Sequence, residues 1–149
     1  MYTDYKEMLA ELKRRTVGIA HTTANLANAA AILFQGMENV NWAGFYLMED
    51  GKLVLGPFQG KPAVVEIEIG KGVCGTAVAE NKTQRVEDVH CFCGHIACDT
   101  ASNSEIVIPL YRNGEICGVL DMDSPLPGRF TENDETELTA FVRELEKHL

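Results

Sequence analysis

A chain of 149 residues, 46% of them hydrophobic, has the size of one domain with a single sizeable core. Its 22 acidic and 13 basic residues give a formal net charge of -9. The basic residues cluster only at Lys13-Arg14-Arg15, which excludes a positive face for nucleic acid or anionic lipid. No apolar run reaches the length of a membrane span, and the amino terminus MYTDYKEMLAELKRR mixes charges with apolar residues, unlike a secretory signal, so a cytoplasmic protein is expected.

Tyr5, Met8, Leu9 and Leu12 recur at helical spacing among Glu, Lys and Arg, which predicts an amphipathic helix to about Arg15. A second helix is predicted over Val17 to Gln35, with Leu26, Ala30, Leu33 and Phe34 on one face and alanines that permit close packing. NWAGFYLM and LVLGPF then read as two strands joined at Asp50-Gly51, a dipeptide suited to the positive dihedrals of a tight hairpin. Alternation of Val65, Ile67 and Ile69 with Glu66 and Glu68 predicts a third, half-buried strand.

GKGVCGTAVAEN reads as a glycine turn opening a short helix, near whose positive end Cys74 is expected to have a lowered thiol pKa. A brief strand, Gln84 to Val86, leads into DVHCFCGHIACD, Asp88 to Asp99, where Gly and polar residues break both the helical and the strand period and mark a loop. Strand character resumes over Glu105 to Tyr111, Asn113-Gly114 marks a second hairpin, and its return strand runs from Glu115 to Met122. Thr131 then suits the N-cap of a last helix bearing Leu138, Phe141, Val142 and Leu145.

This order has no alternating crossovers and predicts an α+β fold: an antiparallel sheet of about six strands, helices packed on one face, and a pocket under loops on the other. One domain is expected over residues 1–149, with N-terminal helices in 1–38 and the sheet, pocket loops and C-terminal helix in 40–149.

The loop at Asp88 to Asp99 concentrates cysteine and histidine. An odd total of five cysteines without a secretion signal points to free, catalytic or metal-binding thiols rather than a disulfide framework. His90, Cys91, Cys93, His95 and Cys98 are zinc-ligand types, yet they crowd one loop and lack a C-x-x-C pair with a distant partner pair, so no metal is expected. Cys98, flanked by Asp99 and preceded by His95, is a candidate nucleophile with other thiols near enough for exchange. Taken singly, a cysteine is more often a small buried hydrophobe, as Cys117 in ICGVL reads.

Asp121 and Asp123 alternate on a strand and so share a face, where they can bind an ammonium group or, with one protonated, donate a proton. Glu105, at another strand end, has the same options, and solvated carboxylates would look no different in the sequence. Trp42 and Tyr46 also share a face and can wall a pocket or pack in a core.

NWAGFYL, LVLGPFQGKPA, GKGVCGTAV, EDVH, GHIACD, SNSEIVIPL and GVLDMDSP, in that order, closely resemble the free methionine-(R)-sulfoxide reductases, enzymes built on a GAF domain. The resemblance runs from Val40 almost to the carboxyl terminus. It implies a GAF-like fold and reduction of free methionine-(R)-sulfoxide through a cysteine sulfenic acid and an intramolecular disulfide. It also implies no bound cofactor, and thioredoxin or a similar dithiol as external reductant; a homodimer is compatible with it. On matching motifs, Cys98 resembles the nucleophile, and Glu105, Asp121 and Asp123 resemble the acidic substrate-site residues. Glu105 or one Asp, such as Asp123, would be the proton donor, and Trp42 and Tyr46 would be the walls around the methyl-sulfinyl end.

The chain departs from the family pattern where PAC is usual: it reads PAV, and Val64 cannot resolve a sulfenic acid. Cys74 of GVCG and the pair Cys91 and Cys93 are the remaining candidates, with the loop pair slightly preferred. The competing expectation is a non-catalytic GAF module that binds a small ligand as a sensor, because a fold does not by itself fix a function.

Overall fold

The structure, a computed structural model, describes residues 3–92 and 101–149; Cys93, His95 and Cys98 lie outside them. Helix α1 (Tyr5–Thr16) is capped by Asp4, whose carboxylate accepts from the Glu7 amide at 2.8 Å. Helix α2 (Thr22–Gly36) begins at Thr22 rather than Val17. Val17 already caps α1 in extended backbone, and the following turn is held by the Ile19 amide on the Thr16 carbonyl at 3.1 Å, so apolar periodicity ran on where the backbone does not.

Strands β1 (Trp42–Glu49) and β2 (Lys52–Gly60) form the first hairpin, with φ positive at both Asp50 and Gly51 as its tight turn requires. Strand β3 is only Glu66–Ile67, and of the three predicted inward residues Ile67 alone is buried, while Val65 is 62% and Ile69 37% exposed. This edge strand pairs β2 only at Leu53 and Val54 before turning into helix α3 (Gly72–Glu80). Strand β4 (Gln84–Val86), a 3-10 turn at Val89–Cys91, strands β5 (Ser104–Arg112) and β6 (Glu115–Ser124), and helix α4 (Glu132–Glu146) complete the chain.

The six strands lie in the order β3-β2-β1-β6-β5-β4, antiparallel throughout, so the expected α+β class holds. On one face α1, α2 and α4 bury Leu12, Leu33 and Phe141 against Phe45, Ile108 and Leu120. Helix α3 is the exception to a one-sided arrangement: its Val73, Cys74 and Ala77 pack on the opposite face with Trp42, Tyr46, Val107 and Val119. Among the described residues no helix is long and apolar enough to cross a membrane.

Asp134 ties the amino terminus to α4. Its carboxylate accepts from Tyr5 Oη at 2.6 Å, Arg129 Nη1 at 3.1 Å and the Thr131 amide at 2.9 Å, completing a capping box with Thr131. Burial raises its pKa, but the Thr131 amide, Tyr5 and Arg129 together outweigh that and hold it below the ordinary value.

Candidate active site

Strand register decides which side chains meet on the α3 face. Across β5, β6, β1 and β2, Glu105 stands opposite Asp123, Asp123 opposite Trp42, and Trp42 opposite Gly60. The next row on that face runs Val107, Asp121, Gly44 and Phe58, and the one after it Pro109, Val119, Tyr46 and Leu55. The sheet therefore presents three carboxylates beside an aromatic strip, because residues two apart on each strand point the same way.

Helix α3 brings Cys74 onto this surface. A β-carbon at Gly75 would stand 2.5 Å from the Glu68 carbonyl oxygen, so only glycine lets the helix approach its own entry turn this closely. Donor atoms of Cys74, Glu105 and Asp121, all buried, lie within 4.8 Å of one another. One sulfur and two carboxylates are a donor set that can also hold a small cation.

Burial pushes the Glu105 carboxyl well above its ordinary pKa, and Asp121 and Asp123 push it further, so it favours its proton. The Cys74 thiol is raised for the same reasons: burial first, then the charges of Asp121, Glu105 and Asp123. This corrects the expectation of a lowered thiol pKa at the start of α3. A short helix's dipole is worth roughly 1 kcal/mol near the surface, too little to offset desolvation beside three carboxylates.

Trp42 stacks on Tyr46 (centroids 6.1 Å apart, planes at 22°) and on Phe58 (5.1 Å, 13°). Its indole N–H donates to the Lys61 carbonyl at 3.0 Å, and Tyr46 Oη donates to the Val64 carbonyl at 2.8 Å. Both rings are thereby fixed to the 61–64 segment, and the Val64 side chain packs against the same apolar cluster.

Residues 9–149 match the family model described as GAF domain. Over 145 residues the chain is 55% identical to the free methionine-R-sulfoxide reductase of Escherichia coli (strain K12), covering 97% of this chain and 88% of that relative. Among solved structures, fRMsr of Staphylococcus aureus in complex with substrate matches with a TM-score of 0.95 at 49% identity, covering 100% of this chain and 97% of the other. The free methionine-R-sulfoxide reductase of Neisseria meningitidis in complex with its substrate matches with a TM-score of 0.94 at 39% identity, covering 99% and 93%. This chain belongs to the free methionine-R-sulfoxide reductase family.

Of the residues that the family resemblance assigned to the site, Trp42, Tyr46, Cys74, Glu105, Asp121 and Asp123 share one face of the sheet. Cys91 does not join them: it is exposed at the end of the 3-10 turn, with Sγ 3.7 Å from Asp88 Oδ2. His90, once weighed as a zinc ligand, pairs through Nε2 with Asn103 Oδ1 at 3.1 Å.

Sequence reasoning passed over two residues that the structure places next to the candidate site residues. Phe58 backs Trp42, as described above. Asn103 ties the 3-10 turn to the end of β6: its carbonyl accepts from the Val89 amide at 2.9 Å, and its Nδ2 donates to the Pro125 carbonyl at 2.7 Å. The motif SNSE was the available signal, since Asn and Ser before a strand commonly bond backbone in turns.

Proposed function

We propose that the chain reduces the R epimer of free methionine sulfoxide to methionine, in the cytoplasm, with a thioredoxin-type dithiol as final reductant. One observation carries this reading: a buried carboxylic acid, Glu105, held protonated by burial and by Asp121 and Asp123 on a face walled by Trp42 and Tyr46. A sulfoxide is attacked at sulfur only as its oxygen takes up a proton, and a neutral acid in a dry site is the group that supplies one.

In the first half-reaction the Cys98 thiolate attacks the sulfoxide sulfur while Glu105 protonates the oxygen. The sulfur–oxygen bond breaks, oxygen ends on Cys98 as a sulfenic acid, and methionine leaves with its sulfur reduced. Glu105 recovers the proton that Cys98 gave up on ionising. In the second half-reaction a resolving thiol forms a disulfide with Cys98 and releases water, and the external dithiol reduces that disulfide. Thiols supply both electrons, so no bound cofactor or metal enters the cycle. Asp121 and Asp123 hold the substrate ammonium group, and Trp42 and Tyr46 enclose the methyl-sulfinyl end.

Val64 removes the family's usual recycling thiol, so the reading assigns that step to Cys91 and Cys93. Two features support this choice over Cys74. Cys91 is an exposed free thiol, whereas Cys74 is buried and its thiolate is opposed by burial and three carboxylates. Association into a homodimer belongs to the same proposal and is read out by sedimentation.

The experiment is methionine release from separate R and S sulfoxides with excess dithiothreitol. Turnover of the R epimer alone, lost in Cys98→Ser, is expected; no release from either epimer would overturn the reading in favour of a ligand-binding module. Mass mapping after one equivalent of substrate addresses recycling: a Cys98–Cys74 disulfide, with Cys91 and Cys93 still alkylatable, would rule the loop pair out.

A further inference from the structure

Trp42 is contacted on several sides by rings, a backbone carbonyl and bare glycine backbone. Phe58 lies almost parallel to its indole at 5.1 Å, Tyr46 flanks it at 6.1 Å, and its N–H is committed to the Lys61 carbonyl at 3.0 Å. Two glycines clear the space it occupies. A β-carbon at Gly44 would stand 2.9 Å from Trp42 Cη2 and overlap Phe58, and one at Gly60, where φ is +131°, would stand 2.6 Å from Trp42 Cδ1. The indole thus occupies space that side chains at Gly44 and Gly60 would fill, with Phe58 and Tyr46 stacked against it.

Phe58 reaches this place through an irregularity. From Glu49↔Lys52 to Tyr46↔Leu55 the hairpin register is regular, but Gly44 faces Phe58, so β2 takes three steps where β1 takes two. In an unbroken register Phe58 would oppose Ala43, whose side chain belongs to the helix-covered core. The bulge, next to Gly56-Pro57, where a proline is tolerated because pairing is already interrupted, turns Phe58 onto the substrate face.

We propose that Phe58 is a positioning residue that fixes the Trp42 indole and so sets the size limit at the sulfur end of the pocket. The proposal rests on the reading of Trp42 as that pocket's wall. A wall free to tilt would admit a larger alkyl group and hold a methyl group less well, whereas a stacked one discriminates between them.

The test compares Phe58→Leu and Phe58→Tyr with the parent enzyme, using methionine-(R)-sulfoxide and its ethyl homologue, ethionine-(R)-sulfoxide. Loss of the stacking partner is expected to raise KM for the methyl substrate about 2- to 10-fold with kcat within roughly twofold, and to narrow discrimination against the ethyl substrate by a similar factor. Phe58→Tyr, which keeps the ring, restores both. Trp42 is the chain's single tryptophan, so its fluorescence reports the wall directly, and its anisotropy is expected to fall in Phe58→Leu.

If leucine leaves the strand edge unfolded, Phe58→Met, with similar apolar volume and no ring, carries the same expectation. Unchanged KM and unchanged discrimination in a folded ringless variant would overturn the proposal, as would equal losses in Phe58→Leu and Phe58→Tyr. A Trp42→Phe control separates the two levels: if it leaves KM unaltered, the assignment of Trp42 as pocket wall fails; if it raises KM while ringless Phe58 variants do not, only the positioning role fails.

Discussion

Replacing Glu105 by Gln tests the proposed proton donor with little change of shape. The Glu105 and Asp121 donor atoms lie within 4.8 Å, so two negative charges there would repel by on the order of 3 kcal/mol at an effective dielectric near 20, before any cost of burial is added. Burial and the neighbouring aspartates thus favour the neutral form of the wild-type acid, which a neutral amide mimics. What the amide cannot do is release a proton to the sulfoxide oxygen. General acid catalysis is worth about 100- to 10,000-fold, or roughly 3 to 5 kcal/mol in the barrier, so kcat is expected to fall by at least the lower figure while KM moves only a few-fold.

The readout is single-turnover methionine release, which excludes the recycling step. Stability gives a second, independent readout. Glu105 has a folded pKa raised above its unfolded value, so its contribution is fully present below the ordinary carboxylate range and is lost as pH rises through the folded value. Wild type is expected to lose stability along that rise, and Glu105→Gln to lose less. A variant keeping kcat within tenfold, or raising KM with kcat intact, would refute the acid assignment and move the proton to one of the aspartates.

Other expectations follow from particular contacts. Asp134→Ala strands Tyr5 Oη and Arg129 and removes the carboxylate half of the α4 capping box, leaving the Thr131 cap on the residue 134 amide, so a loss of about 2 to 3 kcal/mol is expected by denaturant titration, with the activity of the folded fraction unchanged. Because the Asp134 pKa is lowered in the fold, wild type keeps this contribution above the unfolded value and loses it as pH falls through the folded one, and the variant's acid unfolding curve is correspondingly flatter. Val64→Cys restores the family's recycling thiol in the pocket-side cluster; thioredoxin-dependent turnover is expected to rise while single-turnover methionine release stays constant, and no gain would mean that recycling does not limit this enzyme. Gly75→Ala forces α3 off the Glu68 carbonyl, costing about 1 to 3 kcal/mol, and a melting temperature equal to wild type would show that the approach is not tight.

Much of the fold was legible because local chemistry and global topology agree. Asp50-Gly51 and Asn113-Gly114 take the positive dihedrals their types suggest, and those two hairpins supply the four central strands. Strand alternation alone placed Asp121 and Asp123 on one side. Residue chemistry already singled out Cys98 and Glu105 as candidates, but the specific roles of nucleophile and substrate-site acid came only from the family motifs, because no periodicity distinguishes them from ordinary loop and strand-end residues. Three features stayed hidden because each depends on a neighbour distant in sequence. Strand β3 stops where α3 must turn back over the sheet, Phe58 changes face at a bulge, and Cys74 meets carboxylates contributed by β5 and β6.

The fate of Cys74 bears on why this site divides its labour. The same burial and the same aspartates that keep Glu105 protonated also keep a thiol at position 74 from ionising. An acid and a thiolate cannot both be favoured on that floor, since moving the surroundings toward one penalises the other. A sulfoxide reductase needs both within reach of one substrate, so the thiolate has to come from a segment outside the acidic floor. The proposed reading takes it from Cys98, in the sequence between Phe92 and Ala101; the preceding described residues Val89 and His90 are bound to Asn103, two residues before Glu105. This division of labour predicts that moving the nucleophile inward, with Cys98→Ser leaving Cys74 as the pocket thiol, yields no turnover at neutral pH.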